Sequence, residues 1–110
     1  MAISRQILSA STNGGPVLIQ ATSSNGTTIH TADSSGKDEL WLWVTNNSNA
    51  SVKVTMEFGG TANITEQTLA AEDGLVLVSP GLTFTGSLVV KAFAGTANVT
   101  QAFGYVNRIT

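Results

Sequence analysis

From Val52 to Phe58 the chain reads Val-Lys-Val-Thr-Met-Glu-Phe. Val52, Val54, Met56 and Phe58 share one parity, and Lys53, Thr55 and Glu57 share the other. Successive side chains of an extended strand point to opposite faces, so this period of two predicts a half-buried strand with a wet side. No stretch shows the 3.6-residue apolar period of an amphipathic helix. The chain is therefore expected to be built from strands alone.

Other stretches agree. ELWLWVT, from Glu39 to Thr45, is the strongest strand signal. Leu40, Leu42 and Val44 point one way, and Trp41 and Trp43 the other. PVLIQAT, TTIHTA, ITEQTL, GLVLVSP, SLVVKAFAG and VTQAFGYVNRI supply further short β segments. Turn chemistry separates them: Asn13-Gly14-Gly15-Pro16, Asn25-Gly26, the Asp33–Glu39 loop, Asn46–Ala50 and Pro80-Gly81, the last expected to stop its strand. Strands of this number and spacing, about eight, predict an all-β fold. The expected form is a single-domain antiparallel β-sandwich or a small jelly-roll-like barrel. Residues 1–15 form an N-terminal arm or a first strand with its Gly-rich turn, and residues 16–110 form the sandwich.

One phrase occurs twice, FGGTANIT at Phe58–Thr65 and FAGTANVT at Phe93–Thr100. At the same offset of 35 residues, Asp38 falls on Asp73, Leu40 on Leu75, Leu42 on Leu77 and Val54 on Val89. This predicts a strand–loop–strand–turn–strand unit used twice, once in each sheet. Phe58 and Phe93 would be equivalent core anchors, and Gly60 and Gly95 would supply the unusual backbone angles of the turn.

Only 11% of residues are charged and the net charge is −2. Arg5, Lys37, Lys53, Lys91 and Arg108 are scattered, without the basic stripe that nucleic acid requires. No apolar run is long enough to span a membrane as a helix, and MAISRQIL lacks the longer apolar stretch of a secretory signal. With no cysteine there is neither a disulfide nor a thiolate metal site. So sparse a surface charge predicts that partners cover part of the surface.

No catalytic constellation emerges. His30 is the only histidine and is expected to be a partly exposed strand residue. Asp33, Asp38 and Glu39 are expected to be solvated loop carboxylates, since their spacing fits no calcium loop. Gly36-Lys37 lacks the glycine spacing of a phosphate-binding loop. No nucleophile–base pair or metal cluster is visible, so no enzymatic activity and no cofactor are expected.

Trp41 and Trp43 carry the main interaction signal. Their strand is apolar on both faces, whereas one face of a sandwich sheet is normally wet. The second face needs cover from another subunit, from a loop or the N-terminal arm, or from a stacked carbohydrate. The arm, with Ile3, Ile7 and Leu8, is itself expected to be tied down, on its own sheet or on a neighbour, with Arg5 meeting an acidic patch there. Ile3, Arg5, Ile7, Leu8, Trp41 and Trp43 are accordingly the candidate interface residues.

MAISRQILSASTNGGP at the start, ELWLWVTN…VTMEFGG in the centre and SLVVKAFAGTANV…GYVNRI at the end resemble small virion proteins of tailed bacteriophages, the capsid decoration or cement proteins. The similarity spans nearly the whole chain and carries no catalytic motif. It implies a structural protein that binds the outside of an icosahedral shell, often as a homotrimer at threefold and quasi-threefold positions, and reinforces capsomer contacts. The implied partner is the major capsid protein. The implied location is the virion exterior, after synthesis in the host cytoplasm. A head-fibre or tail-fibre module with a glycan-binding face is the alternative.

Overall fold

Val52, Val54 and Met56 are buried between two sheets; of the expected wet side only Lys53 is exposed, since Thr55 and Glu57 are covered on the outer face. The period of two thus sets the inward face. A computed structural model describes all 110 residues. Nine strands follow in order: β1 Ile3–Ile7, β2 Val17–Ile19, β3 Thr27–Thr31, β4 Lys37–Asn46, β5 Val52–Phe58, β6 Ile64–Leu69, β7 Val76–Phe84, β8 Val89–Ala94 and β9 Thr100–Ile109. No helix is present.

One sheet has the order β1-β9-β4-β7, with β2 pairing the other half of β9, and the second has the order β3-β8-β5-β6. All pairings are antiparallel. Counted from β2, the eight principal strands run 1-8-3-6 in one sheet and 2-7-4-5 in the other. That is the strand order of a jelly roll, a sandwich made of two Greek keys. The core between the sheets holds Ile19, Ile29, Leu40, Leu42, Val54 and Val90, each fully buried.

The N-terminal segment is a first strand on its own sheet. β1 pairs with Tyr105–Ile109 of β9, and Ala2 and Thr110 exchange backbone hydrogen bonds at 2.9 and 3.0 Å. The chain then leaves this sheet and reaches the edge of the other. Ala10 N–H donates to the Ile29 carbonyl, and Thr31 N–H donates to the Ser9 hydroxyl at 2.7 Å. After a turn in which Asn13 and Gly14 take positive φ, it returns to β9 as β2. This excursion supplies hydrogen-bond partners to the β3 edge, which would otherwise present unpaired backbone.

Pro80-Gly81 does not end its strand. β7 runs through both residues to Phe84 as the edge of its sheet, with register shifts against β4 on either side of Pro80. A proline lacks an N–H and is accommodated on an edge or at a bulge. Gly81 has φ +77°, and a Cβ there would lie 3.0 Å from the Trp41 ring.

The repeated phrase gives repeated strands but not a repeated tertiary unit. Both copies read strand–loop–strand–turn–strand, and each spans both sheets. In the first copy β6 turns back beside β5; in the second β9 crosses to the other sheet. Phe58 faces inward and stacks on Phe84, with ring centroids 5.4 Å apart. Phe93 lies opposite Thr55 on the outer face and is only half-buried. Gly60 and Gly95 lack positive φ; Gly59, at φ +84°, makes the first turn. The second copy has Ala94 at that position, and it stays in its strand. Asn98, at φ 65°, turns the second copy later.

Candidate functional site

The outer face of the five-stranded sheet gathers most of the candidate interface residues. Across its register Ile7 lies opposite Tyr105, and Tyr105 lies opposite Trp41. Arg5 faces Asn107, which faces Glu39, while Phe103 faces Trp43, which faces Leu77. Directly opposed residues of antiparallel strands share a face, so these side chains form one continuous surface. Trp41 and Trp43 are two residues apart and therefore lie on the same side of β4.

Their rings are 24° from parallel with centroids 6.4 Å apart, and the Tyr105 ring is 6.1 Å from that of Trp43. The Arg5 guanidinium carbon lies 4.3 Å from the Tyr105 ring centroid. An Arg over an aromatic face is attracted by the ring quadrupole. Arg5 also donates to Asn107 Oδ1 at 3.4 Å. Glu39 Oε1 accepts from the Trp41 indole N–H at 2.8 Å and from the Asn107 amide at 3.2 Å. Those two donors hold the Glu39 carboxyl below its ordinary titration range. Glu39 is thus tied into an aromatic surface and is not a free loop carboxylate.

Ile3 and Ile7 extend this surface and are 63% and 52% exposed. β1 therefore widens the apolar face instead of folding over it. Leu8 does not belong to the face. It points into the core and is 1% exposed, so no partner reaches it in the folded chain. Leu8 is of the opposite parity to Ile7, so it turns inward where the chain leaves β1 for the second sheet.

A second cluster was hidden in the sequence. His30 and Asp38 are both buried, contrary to the expected partly exposed histidine and solvated carboxylate. Ser9 N–H donates to His30 Nδ1 at 3.0 Å, so the ring proton sits on Nε2 and is donated to Asp38 Oδ2 at 2.7 Å. Arg108 adds two charge-assisted hydrogen bonds to the same carboxylate, at 2.8 and 3.0 Å. Burial alone pushes the Asp38 carboxyl up, but the hydrogen bonds from Arg108 and His30 and the Arg108 charge outweigh it and hold it low. Asp33 stands 3.8 Å from Arg108 and accepts the Gly36 N–H at 2.7 Å. Both His30 nitrogens are occupied within the fold, which assigns this cluster to holding the sheets together. No group of three or more His, Cys, Asp or Glu side chains is placed to hold a metal ion.

No protein family, curated relative or solved structure matches this chain.

Proposed function

We propose that this chain is a structural virion protein of a tailed bacteriophage, a decoration or cement protein that binds the outside of the capsid and stabilises contacts between capsomers. The observation that carries the proposal is the aromatic and aliphatic outer face of the five-stranded sheet, with Trp41, Trp43, Phe103 and Tyr105 at its centre and Ile3 and Ile7 exposed beside them. Tryptophan, tyrosine and arginine dominate the energetic centres of protein interfaces. The resemblance of the sequence to decoration proteins supplies the partner, the major capsid protein, and a homotrimeric state. The jelly-roll order is compatible, since this architecture recurs in viral capsid and lectin domains, although a fold alone does not assign a function. The mechanism is thermodynamic. A protein that binds only the assembled shell stabilises that shell by mass action, and attachment through several subunits multiplies the effect.

Electron microscopy of intact particles containing the chain is the direct test. Density on the outer capsid surface, with Trp41 and Trp43 against another chain, supports the proposal. Tryptophan emission and quencher access that are the same in free and assembled protein overturn it. A glycan-binding face on a head or tail fibre is the second reading, favoured by the near-parallel Trp41 and Trp43 rings beside Glu39 and Asn107. Quenching of that emission by soluble glycans, without capsid binding, favours this alternative.

A further inference from the structure

On the outer side of the four-stranded sheet, remote in the fold from the aromatic face, a cleft of about 550 Å³ opens at one end of the sandwich. Asn25, the Gly59–Gly60 turn after β5 and the Thr85–Leu88 turn between β7 and β8 enclose it. Glu57 of β5 and Lys91 of β8 contribute the charges. The volume is that of a small-molecule site, but the lining is unusually polar, with only Leu88 and Val89 apolar among ten residues.

Glu57 and Lys91 face one another in register, yet none of the chain's ion pairs joins them. The Glu57 carboxylate is engaged by the neighbouring loop instead. Oε1 accepts the Gly26 N–H at 2.7 Å, and Oε2 accepts the Ser24 hydroxyl. The loop lies so close to β8 that a Cβ on Gly26 would sit 2.5 Å from the Ala92 carbonyl oxygen. Glycine at this position and the buried carboxylate together pin the loop as a wall of the cleft. Lys91 is half-buried, and its ammonium has three donors and no carboxylate partner.

The cleft therefore offers an ammonium, the edge of a largely buried carboxylate with lone pairs remaining, the Asn25 amide, the Ser87 hydroxyl, the lone pairs of the Thr85 hydroxyl, whose proton goes to the Gly36 carbonyl, and the backbone of three glycines. Donors and acceptors are interleaved, and the two formal charges cancel. A free anion attracted by Lys91 meets the neighbouring Glu57 carboxylate, and a cation meets the reverse. A sugar hydroxyl both donates and accepts, so a ring of adjacent hydroxyls matches this lining without bringing a charge. Leu88 provides an apolar patch for the C–H side of such a ring.

We propose that this cleft binds an uncharged, hydroxyl-rich ligand, a single saccharide residue, held by Lys91, Glu57 and Asn25. The inference does not rest on capsid binding or on the aromatic face. The test is titration of the 15N-labelled protein with glucose, galactose, N-acetylglucosamine and rhamnose, with glucuronate and glucosamine as charged comparators. The expected result is a saturable shift of the Gly60, Gly86 and Lys91 amides by at least one neutral sugar. Lys91→Met should keep the native spectrum and bind that sugar about tenfold more weakly, the effect of a lost charged hydrogen bond. Glu57→Gln should also weaken binding; if its loop unfolds, Lys91→Met alone decides. No saturable shift by any neutral sugar, shifts centred on Trp41 and Trp43, binding of a charged comparator only, or unchanged binding by Lys91→Met would each overturn the proposal. None of these outcomes bears on whether the chain binds a capsid.

Discussion

His30 Nε2 lies 2.7 Å from Asp38 Oδ2, and this contact joins the two sheets of the sandwich, since β3 belongs to one and β4 to the other. Arg108 of β9 completes the arrangement from the far end of the chain. Two consecutive strands and one distant in sequence thus converge on one carboxylate with no accessible surface. Burying a charge is costly unless it is paired and fully hydrogen-bonded, and here the partners are in place.

Removing Asp38 leaves the Arg108 charge and the His30 N–H without their acceptor. Asp38→Ala should therefore cost about 3–5 kcal/mol, read from denaturant midpoints at neutral pH. Acid should act on the same contact. The folded-state carboxyl titrates below its unfolded value, so the unfolded chain takes up protons first as pH falls. Its stabilising contribution is complete above the ordinary aspartate value of about 4 and disappears as pH falls through the depressed folded value. The slope of stability against pH in that window should be shallower in Asp38→Asn than in the parent chain. Equal slopes would mean that other carboxylates govern acid unfolding.

Leu8 and Ile7 are neighbours with opposite fates. Leu8→Ala should cost about 2–5 kcal/mol, because its side chain fills the core. Ile7→Ala should change folding stability by less than about 1 kcal/mol, because its side chain is half exposed. If the outer face is the interface, Ile7→Ala should instead weaken trimer or particle association, measured by sedimentation. Deleting residues 2–8 should destabilise the isolated domain. A deletion variant with parental stability would contradict the placement of Leu8.

Phe58 and Phe93 occupy equivalent places in the repeated phrase and opposite faces of the same sheet. Phe58→Ala removes the stack on Phe84 and should cost about 2 kcal/mol, below the value for a fully buried phenylalanine because the ring is only partly enclosed. Phe93→Ala should cost about 1 kcal/mol or less. Equal losses in thermal or denaturant unfolding would restore the two residues as equivalent anchors.

Much of the architecture was legible because strand signals are local. The alternation at Val52–Phe58 and the Leu40/Trp41 parity each follow from the geometry of one extended segment. The all-β class, the inward face of β5 and the shared face of Trp41 and Trp43 needed no partner strand, whereas β4, apolar on both faces, did not show which face turns inward. Even β1 was present as Ile3, Ile7 and Leu8, with its docking on the sheet or on a neighbour left open.

Tertiary structure alone decided the rest, since pairing and burial depend on residues far apart in the chain. His30 and Asp38 resembled surface residues until Arg108, 70 positions beyond Asp38, met the carboxylate. Glu57 occupies a polar position on a strand expected to be wet on that side, but the 24–26 loop covers it. The repeat marked where strands begin and end but not which sheet receives the last strand. Within the repeated phrase the two copies differ at Gly59/Ala94 and at Ile64/Val99. Gly59 takes a positive φ where β6 turns back beside β5, whereas Ala94 stays within β8 before β9 crosses to the other sheet. A backbone angle is a property of one residue, but the sheet that a strand joins is set by the edge available to its hydrogen bonds and by the core available to its side chains.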